Sequence, residues 1–141
     1  MLDFKYYLKI KAIKRKTKDI NLAKSLLLSA KDRMEFAKKI VEEKPRYSLE
    51  LAYESVRELL DALLSIEGYK TWSHEAAISF LQSLVEFSKI EIERLDMTRK
   101  KRHSSKYYGL LIDIKECKDD LIFLNKLFFK LEDILKRKIG S

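Results

Sequence analysis

The apolar residues of the C-terminal third recur at alternating spacings of four and three, which is the repeat of one face of an α-helix. The positions are Leu110, Ile114, Cys117, Leu121, Leu124, Phe128, Leu131 and Leu135. Flanking apolar residues make this stripe wider than the seam of a two-stranded coiled coil, namely Ile122, Phe123, Leu127 and Ile134. The stripe therefore predicts a long helix packed in the core of a bundle.

Capping residues mark the bounds of two more helices. Asp19 is a suitable N-cap for a helix over residues 19–43, which Pro45 would end. A second helix is predicted over residues 48–67, and Gly68 follows where a C-terminal glycine is expected.

A further helical stretch begins at Ser73, a suitable N-cap, with Glu75 in the first turn. Its apolar face extends over residues 77–87. After a break near Ser88 the helical pattern continues into a basic segment, and Gly109 separates that segment from the C-terminal stripe.

Composition supports helices rather than sheets, because the chain has three glycines and one proline in 141 residues and sheet proteins need frequent turn residues. We predict an all-α fold, an up-and-down antiparallel bundle of four to five helices. The predicted organisation is a basic N-terminal helix or arm over residues 1–18, the bundle over residues 19–138, and a tail over residues 139–141.

The chain has one cysteine, Cys117, which excludes an internal disulfide. Two distant histidines and this cysteine do not form a metal-ligand pattern, and glycine-rich phosphate loops are absent, so no metal or other cofactor is predicted. No apolar run approaches the roughly 18 residues that span a bilayer, and the N-terminus does not resemble a secretory signal. We therefore expect a cytoplasmic protein without membrane contact. Few Asn and Gln beside many Lys and Glu are typical of thermophilic proteins.

The net charge of +8 is unevenly distributed. Residues 1–18 contain seven Lys and Arg and one Asp, and residues 94–106 contain six Lys and Arg and one Asp. Residues 47–93, in contrast, contain three basic and nine acidic residues. Two basic patches of this kind could attract a polyanion. A solvated lysine face without function is the alternative for residues 1–18.

The segment from Thr98 to Gly109 is the candidate binding site. Arginine holds phosphate with a rigid fork of donors, and histidine moves protons near neutral pH. The alternative is a solvated basic helix end. Tyrosines at this junction could also simply pack. The candidate residues are Arg99, Lys100, Lys101, Arg102, His103, Lys106, Tyr107 and Tyr108.

Residues 49–64 (LELAYESVRELLDALL), 67–70 (EGYK) and 73–76 (SHEA) resemble the small prokaryotic HEPN domains, especially archaeal single-domain versions. The likeness extends from about Lys18 to Ile134. It implies a helical bundle that dimerises, with its signature motif at the dimer cleft. Many such domains are metal-independent ribonucleases or toxins, often encoded beside a nucleotidyltransferase, and others are non-catalytic RNA- or nucleotide-binding modules.

The family signature is an arginine, a polar residue, a few intervening positions and a histidine. Here Arg102 and His103 take the first two positions, but Tyr107 stands where the catalytic histidine is expected. Tyrosine is a poor base at neutral pH, since its unperturbed pKa is about 10. His103 could supply the imidazole instead, because Arg99 lies on the same helix face four residues earlier.

Three functions remain open. The first is an RNA- or nucleotide-binding module with a degenerate ribonuclease site, a homodimer that acts with a nucleotidyltransferase-type partner. The second is a metal-independent endoribonuclease toxin of a toxin–antitoxin pair, with His103 as base and Arg99 and Arg102 as catalytic cations. The third is a purely structural interaction partner. His74 is expected to bond locally in its helix turn rather than to act in catalysis.

Overall fold

The protein is described by a computed structural model that covers residues 2–108 and 113–140, with the side chains of residues 105–108 outside the description. The predicted all-α fold is confirmed. The helices are α1 (Phe4–Lys9), α2 (Ile20–Ile40), α3 (Pro45–Glu67), α4 (His74–Ser79), α5 (Lys89–Tyr108) and α6 (Ile114–Gly140). A short 3₁₀ turn, Phe80–Ser83, follows α4.

Helix α3 is the centre of the bundle. Most of its side chains between Ser48 and Ser65 are buried, and α2 and α6 pack along it. Buried serines satisfy their hydroxyls on backbone carbonyls, as where Ser55 donates to Ala30 of α2 at 2.7 Å. Helix α6 contributes the predicted apolar stripe, of which Leu124, Leu131 and Leu135 are fully buried. The part of that stripe before Asp113 lies outside the described residues.

The predicted caps form hydrogen bonds of the expected kind. The Asp19 carboxylate accepts from the Leu22 amide at 2.9 Å, and Ser73 Oγ accepts from the Ala76 amide at 3.1 Å. Gly68 ends α3 in the left-handed conformation, with a φ of 85°. The break near Ser88 is the start of α5, where Ser88 and Glu91 form a reciprocal capping box.

Three predicted boundaries were wrong. Helix α2 ends at Ile40, short of Glu43, and α3 begins at Pro45 rather than at Ser48. Proline lacks an amide hydrogen, and the first turn of a helix does not need that donor, so Pro45 starts a helix here. The helix after Ser73 is also shorter than predicted, because it tightens into the 3₁₀ turn.

The sequence analysis missed a two-stranded antiparallel sheet. Strand β1 (Ile13–Arg15) pairs with β2 (Tyr69–Thr71), and the register places Lys14 opposite Lys70. Three-residue strands carry too little alternation to be recognised from sequence. Residues 1–18 thus hold α1 and β1, and α6 continues to Gly140.

Helix α1 and strand β1 attach to the bundle through a small apolar cluster of their own. Tyr7, Ile13 and Ala76 form this cluster, and Phe4 joins it to the main core. The attachment holds β1 beside β2, which leads directly into the first turn of α4.

Candidate functional site

A cleft of about 370 Å³ opens between the start of α4 and the middle of α5. We call it the α4–α5 cleft. Strand β2 and the Ser73 cap set the direction of the first α4 turn, where Thr71 Oγ1 accepts from the Ser73 amide at 3.0 Å. The lining residues are Trp72, Ser73, His74, Glu75, Arg99, Arg102 and His103. Both histidines of the chain therefore lie at one cleft, although 28 residues separate them in sequence.

His74 is held against α3. Its ring stacks on the Tyr53 ring at 5.6 Å between centroids, and Nδ1 shares a 2.8 Å hydrogen bond with the Tyr53 hydroxyl. Burial of the imidazole, followed by the positive charges of the neighbouring arginines and His103, lowers the pKa of His74 to about 4. The imidazole is therefore neutral at pH 7. The expectation of a purely local bond in the helix turn was wrong, because the partner is a buried tyrosine of another helix.

Arg99 enters the cleft from α5 and is tied to two carboxylates. Its Nη2 donates to Glu75 Oε1 at 3.1 Å, and its Nε donates to Asp96 Oδ1 at 2.8 Å. The side chain is largely buried, at 18% exposure. Arg99 is thus oriented across the cleft before any ligand arrives.

Arg102 lies deeper, between α3 and α5. Its Nη2 is 2.6 Å from Glu54 Oε1, and its guanidinium lies 5.3 Å from the centre of the Tyr53 ring. Its Nε is buried and has no hydrogen-bond partner among the described residues. A buried donor without an acceptor lowers the free energy of unfolding by about 1–3 kcal/mol, so the position of this side chain reduces the stability of the fold.

The other predicted cations that the structure describes do not line the α4–α5 cleft. Lys101 faces α6, where its Nζ lies 2.7 Å from Asp120 and 2.6 Å from Glu116. Lys100 is exposed and lies 3.5 Å from Asp96. The candidate side chains of Lys106, Tyr107 and Tyr108 lie outside the described residues.

His103 stands on the exposed rim of the α4–α5 cleft, one residue from Arg102. The structure brings Arg99, Arg102 and His103 to one cleft. The sequence spacing placed Arg99 and His103 on one helix face but not Arg102, which points about 100° away from His103 on an ideal helix. The structure adds His74 and Trp72, which the sequence analysis did not include in the site. No spacing rule connects these two to α5, since only the tertiary fold brings them there.

Trp72 and His74 also line a second cleft of about 410 Å³ between α2, α3 and β2, together with Arg57 and Asp61. The indole is 71% exposed, and Lys70 Nζ lies 4.3 Å from the centre of its ring. An exposed tryptophan that lines both clefts offers a flat apolar face to a ligand.

Comparison with protein-family models gives no match for this chain, and comparison with curated protein sequences gives none either. Within residues 2–108 and 113–140, no three His, Cys, Asp or Glu side chains are grouped as metal ligands would be. None of the helices in the described part of the chain combines the length and apolar character needed to cross a membrane.

Chemically, the cleft combines guanidinium donors, two imidazoles and an exposed indole. Guanidinium groups bind phosphate oxygens in a bidentate manner, and an indole face stacks on a base. The imidazole nitrogens can form hydrogen bonds with a bound ligand.

Proposed function

We propose that the protein is an RNA- or nucleotide-binding module of the HEPN type, and that the α4–α5 cleft holds a phosphate group of the ligand. The observation that carries this proposal is the convergence of Arg99, Arg102, His74 and His103 on one cleft from two separate segments. The resemblance of residues 49–76 to HEPN domains supports the same function, and it also suggests a nucleotidyltransferase-type partner and a cytoplasmic location.

A bound phosphate would take over some of the guanidinium hydrogen bonds that the two arginines now make to carboxylates. Each guanidinium has five donors, of which the internal carboxylates use only part. A phosphate that enters between Arg99 and Arg102 would share these donors with Glu75 and Glu54. The internal ion pairs meanwhile hold both side chains in place, so little conformational entropy is lost on binding.

The first experiment is titration calorimetry with a nucleoside monophosphate and with a uridine trinucleotide. Arg102→Lys keeps the charge but removes the planar fork, so we expect about a tenfold weaker affinity, the loss of one charge-assisted bond. Arg94→Lys is the matched control, because Arg94 is on the same helix but lies over Phe123 of α6, 4.4 Å from its ring. Equal affinity of the two variants would remove the cleft as the binding site.

A second candidate function is metal-independent cleavage of RNA. The specific observation that favours it is an imidazole beside two guanidinium groups in one cleft, because this reaction needs a base for the 2′-hydroxyl and cations at the phosphate. In this alternative His103 takes the proton of the 2′-hydroxyl as base, and water in the open cleft gives a proton to the leaving oxygen. The arginines stabilise the charged phosphorus centre, and neutral His74 hydrogen-bonds the phosphate. The test is cleavage of single-stranded RNA in EDTA, which His103→Ala should abolish while binding is retained. Cleavage that survives His103→Ala would exclude His103 as the base.

We also propose that the protein is a homodimer. An apolar groove of about 380 Å³ next to the cleft supports this, with Phe36, Tyr47 and Leu51 at its wall and Glu54 at its edge. Since Glu54 binds Arg102, a partner seated in this groove would stand beside the cleft. Light scattering after gel filtration should give twice the monomer mass, and Leu51→Glu should restore the monomer.

The third function, a purely structural interaction partner, predicts neither ligand binding nor RNA cleavage in these assays.

A further inference from the structure

A group of cations without a carboxylate partner among the described residues lies at the N-terminus. Helix α1, the following turn and β1 line an open groove of about 580 Å³, which we call the N-terminal basic groove. Its basic residues are Lys5, Lys9, Lys11, Lys14 and Arg15, and its other lining residues are Leu8 and Ile13. All five basic side chains are exposed, and no acidic residue in the described part of the chain lines the groove.

The two basic segments differ in their partners. Arg99, Lys100, Lys101 and Arg102 each lie within 4.0 Å of a carboxylate. Among the described residues, no carboxylate lies this close to any of the five basic residues of the groove. The five basic residues give this small surface a formal charge of +5. Such a surface attracts polyanions over several ångströms of solvent.

The register of the sheet places two like charges directly opposite each other. Lys14 on β1 faces Lys70 on β2, an arrangement that destabilises a strand pair. A bound anion would offset this repulsion. Lys70 also lies over the indole of Trp72, so the lysine pair connects the groove with the rim of the α4–α5 cleft.

We propose that the N-terminal basic groove binds the sugar–phosphate backbone of a single-stranded nucleic acid, which passes over Trp72 into the α4–α5 cleft. The exposed indole favours a single strand, because unpaired bases stack on aromatic faces and paired bases do not offer theirs. The path into the cleft rests on the proposed function, whereas binding in the groove does not depend on it.

The experiment is fluorescence anisotropy with labelled oligouridylates of 12 and 3 nucleotides over a range of salt concentrations. The double variant Lys9→Ala/Lys14→Ala should weaken binding of the 12-mer and leave the trinucleotide unchanged. The slope of log affinity against log salt should become less steep by about 1.4, the loss of two single-strand phosphate contacts. Trp72→Ala should weaken the 12-mer at least about fivefold, the lower value for one stacked base.

The matched control is Lys24→Ala/Lys39→Ala, which removes two exposed lysines of α2 that have no ion pair among the described residues. Equal effects of the two double variants, or no effect of either, would exclude the N-terminal basic groove as the binding site of the 12-mer. A duplex bound as tightly as the single strand would overturn the single-strand assignment. Binding to phosphatidylserine vesicles without binding to the oligonucleotide would overturn it in favour of a membrane surface.

The two proposals fail separately in this design. If Arg102→Lys leaves trinucleotide binding unchanged, the cleft is excluded, and the effect of Lys9→Ala/Lys14→Ala on the 12-mer still decides the groove. If the lysine variant has no effect on the 12-mer, the groove is excluded, and the trinucleotide still reports on the cleft.

Discussion

Protonation of His74 should destabilise the fold as the pH falls from 6.5 towards 4. In the unfolded chain this imidazole takes up its proton near its ordinary pKa of 6.5, whereas in the folded protein burial and then the nearby cations lower the pKa to about 4. The unfolded state therefore binds more protons between these two values, and the free energy of unfolding decreases as the pH falls through this range. Well above pH 6.5 the imidazole is neutral in both states, and His74 no longer lowers the free energy of unfolding.

The magnitude follows from the gap between the two pKa values. The difference between 6.5 and about 4 corresponds to about 3.4 kcal/mol at 1.36 kcal/mol for each pKa unit. The ring is only partly buried, so solvent screens its charge, and we expect about 1–2 kcal/mol. His74→Gln removes the titrating group and keeps an amide that can bond the Tyr53 hydroxyl.

The assay is urea unfolding followed by circular dichroism at a series of pH values from about 7 to about 4.5. The wild-type free energy of unfolding should fall by about 1–2 kcal/mol more than that of His74→Gln across this range. His103→Gln is the matched control, because it removes the exposed histidine of the same cleft. Parallel curves for wild type and His74→Gln would refute the reasoning, and so would an equal change in the control.

Three further predictions concern stability and the arginine pairs. Gly68→Ala should cost about 1–3 kcal/mol of unfolding free energy, because φ is 85° and a Cβ would lie 3.0 Å from the Lys16 carbonyl oxygen; unchanged urea unfolding would contradict this. Leu131→Ala should cost about 2–5 kcal/mol, because Leu131 is fully buried, and a midpoint shift without loss of binding is expected. Glu54→Gln should raise nucleotide affinity several-fold, because it removes the carboxylate that competes for Arg102; an unchanged dissociation constant by calorimetry would contradict this.

The long helices could be predicted because local signals repeat along them. The α6 stripe and the caps at Asp19, Gly68 and Ser73 each depend on residues within a few positions of one another, and the structure confirms them. Pro45 was misread because proline is compatible with both the end of one helix and the start of the next. The β1–β2 pair was missed because its stability comes from tertiary contacts, such as the Thr71 hydroxyl that donates to the Ala12 carbonyl at 2.6 Å.

The candidate site was predictable only where its residues are neighbours in sequence. Arg99 and His103 are four residues apart, so helical geometry places them on one face, whereas the adjacent Arg102 and His103 point about 100° apart on an ideal helix. His74 and Trp72 come from the segment after β2, and nothing in their spacing from α5 indicates a shared cleft. Their placement depends on how β2 and the first turn of α4 pack beside α5.

Charge density in the sequence is a poor guide to electrostatic potential at the surface, and these two basic segments show why. Arg99 and Arg102 of α5 are held by internal carboxylates, so an anion that binds there must compete with Glu54 and Glu75. Such a site suits short-range recognition, because only a ligand with well-placed oxygens can replace those partners. The N-terminal basic groove has no such competition among the described residues, and its field extends further into solvent. Long-range capture of a polyanion would therefore begin at the groove, and selection of the ligand would follow at the α4–α5 cleft.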